Sequence, residues 1–314
     1  MSELTIVMYH YVRDLRRSRF PEIKGRDLAQ FRVQLDHVAA NYEVVTAEQV
    51  MAAVLGEDAL PPKSCWLTFD DGYFDHYQHV LPLLMDRGWQ GSFYAPSQTV
   101  LQHKILDVNK VHFILASVDE PGGLVEEIRQ FCDEHLAAGE PLASFEEYWD
   151  TYAHANRWDP ASVIFVKRML QKGLPERLRN ELADRLFRRY VTDDLEAFAA
   201  ELYLDTHQLR LMRELGMHLG SHGAAHYWLD SLDEPAQAAD IDESLAFLQG
   251  LGVDTSRWTM CYPYGAYNDT TLDLLRQRNC TVAMTTTPGV VDVPGAPALA
   301  LARLDTNDLP YTAH

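Results

Sequence analysis

Hydrophobic and polar positions along the chain switch between two periods. Leu4-Thr5-Ile6-Val7-Met8-Tyr9-His10 is a short apolar run rich in strand formers, and it predicts a first strand with His10 near its end. Asp27 to Ala40 carries Phe31, Leu35 and Val38 at helical spacing, and Thr46 with Gln49 forms a capping-box pattern that opens a second helix to Leu55. Lys63 to Phe69 returns to a strand pattern and ends in Asp70-Asp71-Gly72. Tyr77 to Arg87 then predicts a helix closed by Gly88, and Gly91 to Ala95 the next strand. Strand, helix, helix and strand in this order indicate an α/β architecture.

The next hundred residues break the alternation. Leu124, Ile128, Phe131 and Leu136 recur at helical spacing, as do Leu178, Leu182, Leu186 and Tyr190, and Asp193-Asp194 opens a helix with Leu195, Phe198 and Leu202 on one face. Arg13 to Lys24, charged and interrupted by Pro21, is expected to be a loop over one end of the fold. The alternation resumes with Thr206 as N-cap of a helix through Leu209, Met212 and Leu215, closed by Gly216. An amphipathic helix follows over Ile241 to Leu251, with strands over Trp258 to Tyr262, Thr281 to Thr285 and Leu299 to Leu304.

Composition narrows this picture. A chain of 314 residues fits one barrel-like domain with an insertion, or two small domains. A formal charge of −19 repels nucleic acid and anionic membranes, so no nucleic-acid role is indicated. Met1 to Thr5 lacks the basic start and long apolar core of a signal peptide, and no run approaches the roughly 20 apolar residues of a membrane span, so a cytoplasmic protein is expected. Cys65, Cys132, Cys261 and Cys280 form no C-x-x-C pair, which suits unlinked thiols in a reducing compartment.

Two stretches carry candidate chemistry. Asp70 and Asp71 sit at the mouth of a strand, where adjacent carboxylates need a cation or a shared proton unless they are simply solvated in a turn. His222 and His226 stand four apart, a spacing that would put both imidazoles on one face of a helical turn, with small residues between them. With one carboxylate they supply three ligands of the kind a catalytic zinc uses.

Thr68-Phe69-Asp70-Asp71-Gly72, then Ser221-His222-Gly223-Ala224-Ala225-His226, then Cys261-Tyr262-Pro263-Tyr264-Gly265, in this order, resemble the polysaccharide deacetylase family with the NodB homology domain. The likeness extends over residues 1 to 100 and 206 to 305, and Tyr9-His10 is similar to the start of permuted members. It implies a distorted (β/α) barrel over 1–101 and 206–314, with 102–205 as an inserted helical subdomain, because the family joins its first two motifs with a much shorter connection. By motif position, Asp71, His222 and His226 would hold one divalent metal ion, Zn2+ first and Co2+, Ni2+, Mn2+ or Fe2+ as alternatives. Asp70 would be the general base, and the backbone N–H of Tyr264 would hold the developing oxyanion. Permuted members further imply His10 as the acid for the leaving amine, and Arg303 is assigned to orient the carboxylate.

The chain departs from the commonest pattern in three places. Gly223 replaces a Ser or Thr, Met260 and Cys261 stand where an arginine opens the Pro-Tyr motif, and no Leu-x-His pair follows near the C-terminus. Tyr73, Phe74, Trp228 and Tyr262 are candidates for a sugar-stacking rim or for the core, while His76 and His218 read as structural or exposed. Cys261 lacks a dedicated base and reads as a packed thiol. The resemblance implies removal of an N-acetyl or N-formyl group from an acylamino sugar, in surface polysaccharide or O-antigen (lipopolysaccharide) biosynthesis. Hydrolysis of a non-sugar amide and non-catalytic sugar binding are the alternatives. Between Ile164 and Tyr190, eight basic residues face three acidic ones, either a solvated helix pair or a phosphate site for a nucleotide- or lipid-linked sugar.

Overall fold

The computed structural model describes residues 2–156 and 159–312. The chain divides into two compact units, one formed by Met1–Asp14, Gly25–Lys104 and Ala199–His314, the other by Leu15–Lys24 and Ile105–Phe198.

The first unit is built on a mixed α/β sheet of nine strands. In chain order these are β1 (Ser2–Tyr9), β2 (Glu43–Val44), β3 (Ser64–Asp70), β4 (Ser92–Ala95), β5 (His218–Ser221), β6 (Trp258–Cys261), β7 (Cys280–Met284), β8 (Val291–Val293) and β9 (Leu304–Asp305). Strands β1, β3, β4, β5, β6 and β7 are neighbours in that order and run parallel, while β8 lies antiparallel on the outer side of β1. Parallel strands are covered on both faces, which is why β3 reads as a continuous apolar run and is buried at every residue.

The two sides of the sheet meet through one short segment. Leu301 bridges Met284 of β7, and three residues later Leu304 pairs with Val7 of β1, so the sheet curls into a barrel-like form. The strand expected over Leu299 to Leu304 is therefore not continuous, because this segment changes partner midway. Register aligns the strand ends: Tyr9 lies opposite Phe69, Asp70 opposite Tyr94, Tyr94 opposite Gly220, and Ser221 opposite Met260. The residues just beyond these pairs consequently emerge at the carboxyl end of the sheet. Beneath them Tyr9, Phe69 and Phe93 stack at 5.2 and 4.9 Å, with the edge of Phe31 on Tyr9 at 5.1 Å.

The predicted helices form with some shifts. Asp27 and Thr46 cap Leu28–Asn41 and Ala47–Val54, each with a complete capping box. Thr206 is the first helical residue rather than the cap: Asp205 takes that place, its carboxylate accepting from Gln208 N at 2.7 Å, where negative charge also suits the helix dipole. The helix expected from Ile241 begins at Glu234, capped by Asp233 with Pro235 in its first turn. Its buried face is polar at Gln237, Asp240 and Ser244, which hides the apolar period there.

The second unit is helical, with Asp107–Ala116, Gly122–Ala137, Phe145–Tyr152, Ala161–Arg168 and Glu176–Tyr190 as its main elements. The expected loop over Arg13 to Lys24 contributes Leu15–Lys24 to this unit, because Phe20 packs edge-on against Phe113 and Phe198 at 5.0 and 6.0 Å. Four of the eight basic residues between Ile164 and Tyr190 have acidic partners inside the unit. Lys167 meets Asp159 at 2.7 Å, Arg185 meets Glu134 at 3.0 Å, Arg189 meets Glu127 at 3.4 Å, and Arg177 pairs with Glu140. No helix among the described residues is long and apolar enough to cross a membrane.

Candidate active site

Asp70 is the last residue of β3 and Asp71 the first beyond it, where a positive φ of 71° turns the chain into Gly72. The close approach of the next strand makes that glycine necessary, since a Cβ on it would lie 2.5 Å from the Cβ of Ala95. The turn sends the two adjacent carboxylates into different surroundings.

Asp71 faces two histidines. Its Oδ1 lies 3.3 Å from Nε2 of His222 and 3.3 Å from Nε2 of His226, and the three atoms all fall within 4.8 Å of one another. The histidines follow β5 in a loop and not on a helical turn, as their spacing had suggested. Positive φ at Gly223 (69°) and His226 (59°) folds the loop back and brings the rings to 4.8 Å between centroids. His222 Nδ1 donates to the carbonyl oxygen of Cys261 at 2.7 Å; a carbonyl only accepts, so a neutral His222 presents its Nε2 lone pair to Asp71. Asp71 Oδ1 is itself buried without a hydrogen-bond partner among the described residues.

A lone pair of His222 Nε2 thus turns to Asp71 Oδ1, and His226 Nε2 lies at the same distance from that oxygen. A cation held among these three atoms would satisfy them together. Burial opposes charge on His222, but the Asp71 carboxylate raises its pKa above the ordinary value; a proton there answers one contact, whereas a divalent ion answers all three. The other Asp71 oxygen, Oδ2, accepts from Tyr73 Oη at 2.5 Å, which leaves Oδ1 for the cation. The donor set of one carboxylate and two imidazoles fits zinc and its first-row neighbours.

Asp70 faces Arg303. Arg303 Nη1 donates to Oδ1 at 3.0 Å, and Nη2 stands 2.8 Å from Oδ2. The guanidinium is fixed in turn: Nε donates to the Thr285 carbonyl at 2.9 Å, and Nη1 also reaches Thr68 Oγ1 at 3.2 Å and Cys261 Sγ at 3.1 Å. Arg303 lies in the segment that joins β7 to β1, and only 1% of it is exposed. Burial would push the Asp70 carboxyl up, yet the charges of Arg303 and then His222 hold it down at about 2. Asp70 is therefore an anion. Cys261, by contrast, is buried and its thiol is pushed well above the ordinary value, which leaves it inert.

His10 follows β1 at the same end of the sheet and is half-buried. Its backbone carbonyl accepts from His76 Nε2 at 2.8 Å, and it stands close enough to act electrostatically on Asp70, Asp71 and His226. Tyr264 occupies the turn Pro263–Gly265 with φ 58°, its ring 4.7 Å from that of His226 and stacked on Trp228 at 4.4 Å. Six non-glycine residues among those described have positive φ, and three of them, Asp71, His226 and Tyr264, belong to this cluster. Backbone strain is concentrated here rather than spread over loops, the pattern of a functional site.

A family model described as polysaccharide deacetylase matches residues 57–131 and 189–283, just over half of the chain. The chain belongs to the polysaccharide deacetylase family. No curated protein sequence matches it. Among solved structures it is similar to the Streptococcus pyogenes deacetylase PplD in complex with acetate, at 18% identity and a TM-score of 0.58, covering 96% of this chain and 92% of that one. It is also similar to IcaB from Ammonifex degensii, at 19% identity and a TM-score of 0.57, covering 97% and 91%. The deacetylase domain of BpsB from Bordetella bronchiseptica follows at 15% and 0.54, covering 96% and 95%. At such identities these likenesses establish the fold, the barrel of this deacetylase family.

In this family member the structure brings Asp70, Asp71, His222, His226, Arg303, His10 and Tyr264 to one end of the sheet. Of the four candidates for an aromatic rim, Tyr73 and Tyr262 are buried, whereas Phe74 and Trp228 are half-buried, Trp228 stacked on Tyr264. His76 and His218 are both buried, so neither is an exposed histidine. Two contributors escaped the sequence reading. Tyr73 was weighed as a rim aromatic and instead holds Asp71; its place directly after the acidic motif was the available signal. Asp240 reaches the histidine loop from Glu234–Gly250, and the signal was a carboxylate on a face that should be apolar.

Proposed function

We propose that this family member is a metal-dependent N-deacylase that removes an acetyl or formyl group from an acylamino sugar, in making a surface polysaccharide or O-antigen. One observation carries the reading: Asp71 Oδ1, His222 Nε2 and His226 Nε2 gather within 4.8 Å of one another beside an ionised carboxylate, Asp70, that is held separately by Arg303. A second, separately held anion beside this cluster favours catalysis over binding alone, since a general base is needed only for the former.

Asp71, His222 and His226 would hold the metal, which when bound supplies Lewis-acid polarisation of the acyl oxygen and acidification of water. Asp70 takes the proton of the attacking water on a carboxylate oxygen, and Arg303 orients that carboxylate and keeps it ionised. The Tyr264 backbone N–H donates to the oxyanion of the tetrahedral intermediate, its direction set by the left-handed turn. His10 delivers a proton to the departing amine nitrogen. Its loop position is anchored through the His76 contact to its carbonyl.

Four buried, unlinked thiols support a cytoplasmic setting and hence a biosynthetic intermediate over a finished extracellular polymer. Lys167, Arg177, Arg185 and Arg189 of the basic run already have acidic partners in the helical unit, so those four lend no support to a nucleotide- or lipid-linked substrate. The test is release of acetate or formate from a panel of N-acyl amino sugars, free and nucleotide-linked, with and without a chelator. Metal-dependent release from one sugar supports the reading. Release only from non-sugar amides, or metal binding with no release from any member, overturns it.

A further inference from the structure

The metal ligands His222 and His226 are separated by three small residues, and every polar backbone contact recorded for Gly223, Ala224 and Ala225 ties that loop to the rest of the unit. Ala224 N donates to Asp240 Oδ2 and Ala225 N to Asp240 Oδ1, both at 3.0 Å, so one carboxylate receives two consecutive amides. Gly223 N donates to Ser221 Oγ at 3.2 Å, which in turn meets Ser244 Oγ at 2.6 Å. From the other side, the carbonyls of Gly223 and Ala224 accept from Ser97 N at 3.3 Å and Gln98 N at 3.0 Å.

Asp240 and Ser244 lie one turn apart on the helix Glu234–Gly250, on a buried face where an apolar pair would ordinarily pack. A carboxylate that is only 7% exposed is costly to bury, and among the described residues its oxygens accept hydrogen bonds from these two amides alone. The cost has to be recovered in what the amides hold. The fit also dictates the neighbouring residue: a Cβ on residue 223 would lie 2.6 Å from Asp240 Oδ2, and φ at this position is 69°. Glycine at 223 and aspartate at 240 therefore form one arrangement, in which the carboxylate occupies the space a side chain on the loop would fill.

We propose that Asp240 is a positioning residue for the metal centre: by gripping the amides of Ala224 and Ala225 it fixes the loop so that both imidazoles face Asp71 before any ion arrives. Asp240 touches neither ion nor substrate. It acts through the backbone, as an outer partner that orders ligands in advance. The inference rests on the metal-site reading above, and direct measurement of metal affinity separates failure of one from failure of the other.

The experiment measures Zn2+ affinity by competition with a chelating indicator, together with thermal melts, for wild type, Asp240→Ala, Asp240→Asn and Gln237→Ala. Gln237 is the control, since on the same helix it accepts from Thr271 Oγ1 at 2.6 Å and donates to the Leu232 carbonyl at 2.9 Å, away from the loop. Asp240→Ala should weaken zinc binding about 10- to 100-fold, the range for loss of an outer partner. Asp240→Asn, which keeps one acceptor oxygen for one amide, should fall between it and wild type. Gln237→Ala should lower the melting temperature and leave the affinity unchanged. Where Asp240→Ala fails to fold, Asp240→Asn decides. Wild-type affinity in the folded Asp240 variants overturns the proposal, as does an equal loss in Gln237→Ala, which would make helix stability the cause. A wild type that binds no zinc overturns the metal-site reading and this inference with it.

Discussion

The two compact units differ in how completely they bury their charge pairs. In the sheet unit Asp70, Asp71, His222 and Arg303 are each at most 3% exposed, and every one has a particular partner. In the helical unit each ion pair among the described residues keeps at least one member 20% or more exposed, even where Lys110 or Glu127 is buried, and Arg185 and Glu134 are 44% and 57% exposed. Exposed pairs cost little to make and are worth little, whereas a buried charge persists only when its surroundings are complete. Buried charge is thus a better pointer to chemistry than charge density, although the basic run of the helical unit is the more visible feature of the sequence.

This contrast can be broken most forcefully at Asp70. Asp70→Asn should keep the metal and lower kcat by ~10²–10⁴-fold, the range of an acid-base group, and near-normal turnover would remove it as the base. Arg303→Met leaves the Asp70 carboxylate buried without its cation, which should cost about 3–5 kcal/mol in urea unfolding. The pH dependence follows in sign: Asp70 is held at about 2 against an ordinary 3.8, so the stability that Arg303 confers is fully present above the ordinary value and is lost as pH falls toward 2. An unfolding difference between wild type and Arg303→Met that does not shrink on acidification would contradict the pairing.

Smaller effects sharpen the same comparison. Tyr73→Phe removes the donor on Asp71 Oδ2 and should weaken metal affinity by about tenfold with the fold intact. Arg185→Ala, in the helical unit, should change unfolding free energy by at most ~1 kcal/mol. A larger loss there would show that the surface pairs are structural after all.

Much of the sheet unit was legible because parallel strands are uniformly apolar and a helix can announce itself through its cap; the runs ending at Tyr9, Asp70 and Ala95 and the box at Thr46 all formed. The acidic and histidine motifs were legible as residues but not as geometry. A spacing of four is common to a helical turn and to a folded loop, and only positive φ at Gly223 and His226 distinguishes them, which no side-chain pattern reports. Asp240 stayed hidden because its partners are backbone amides, which every residue carries. Leu299 to Leu304 has the composition of a strand, but it crosses from β7 to β1, and such a change of partner is a tertiary property. Phe20 gave no periodic signal within its charged segment, so its packing with Phe113 could not be foreseen.

The central claim is that Asp71, His222 and His226 form a site for one divalent ion. Titration with Co2+, followed by its visible absorption and by equilibrium dialysis, tests it directly in wild type and His226→Ala, because a three-ligand site tolerates loss of one ligand poorly. The account predicts one ion per chain in the wild type and a large loss of affinity in a folded His226→Ala. No bound ion in the wild type, or full occupancy at wild-type affinity in His226→Ala, would contradict it.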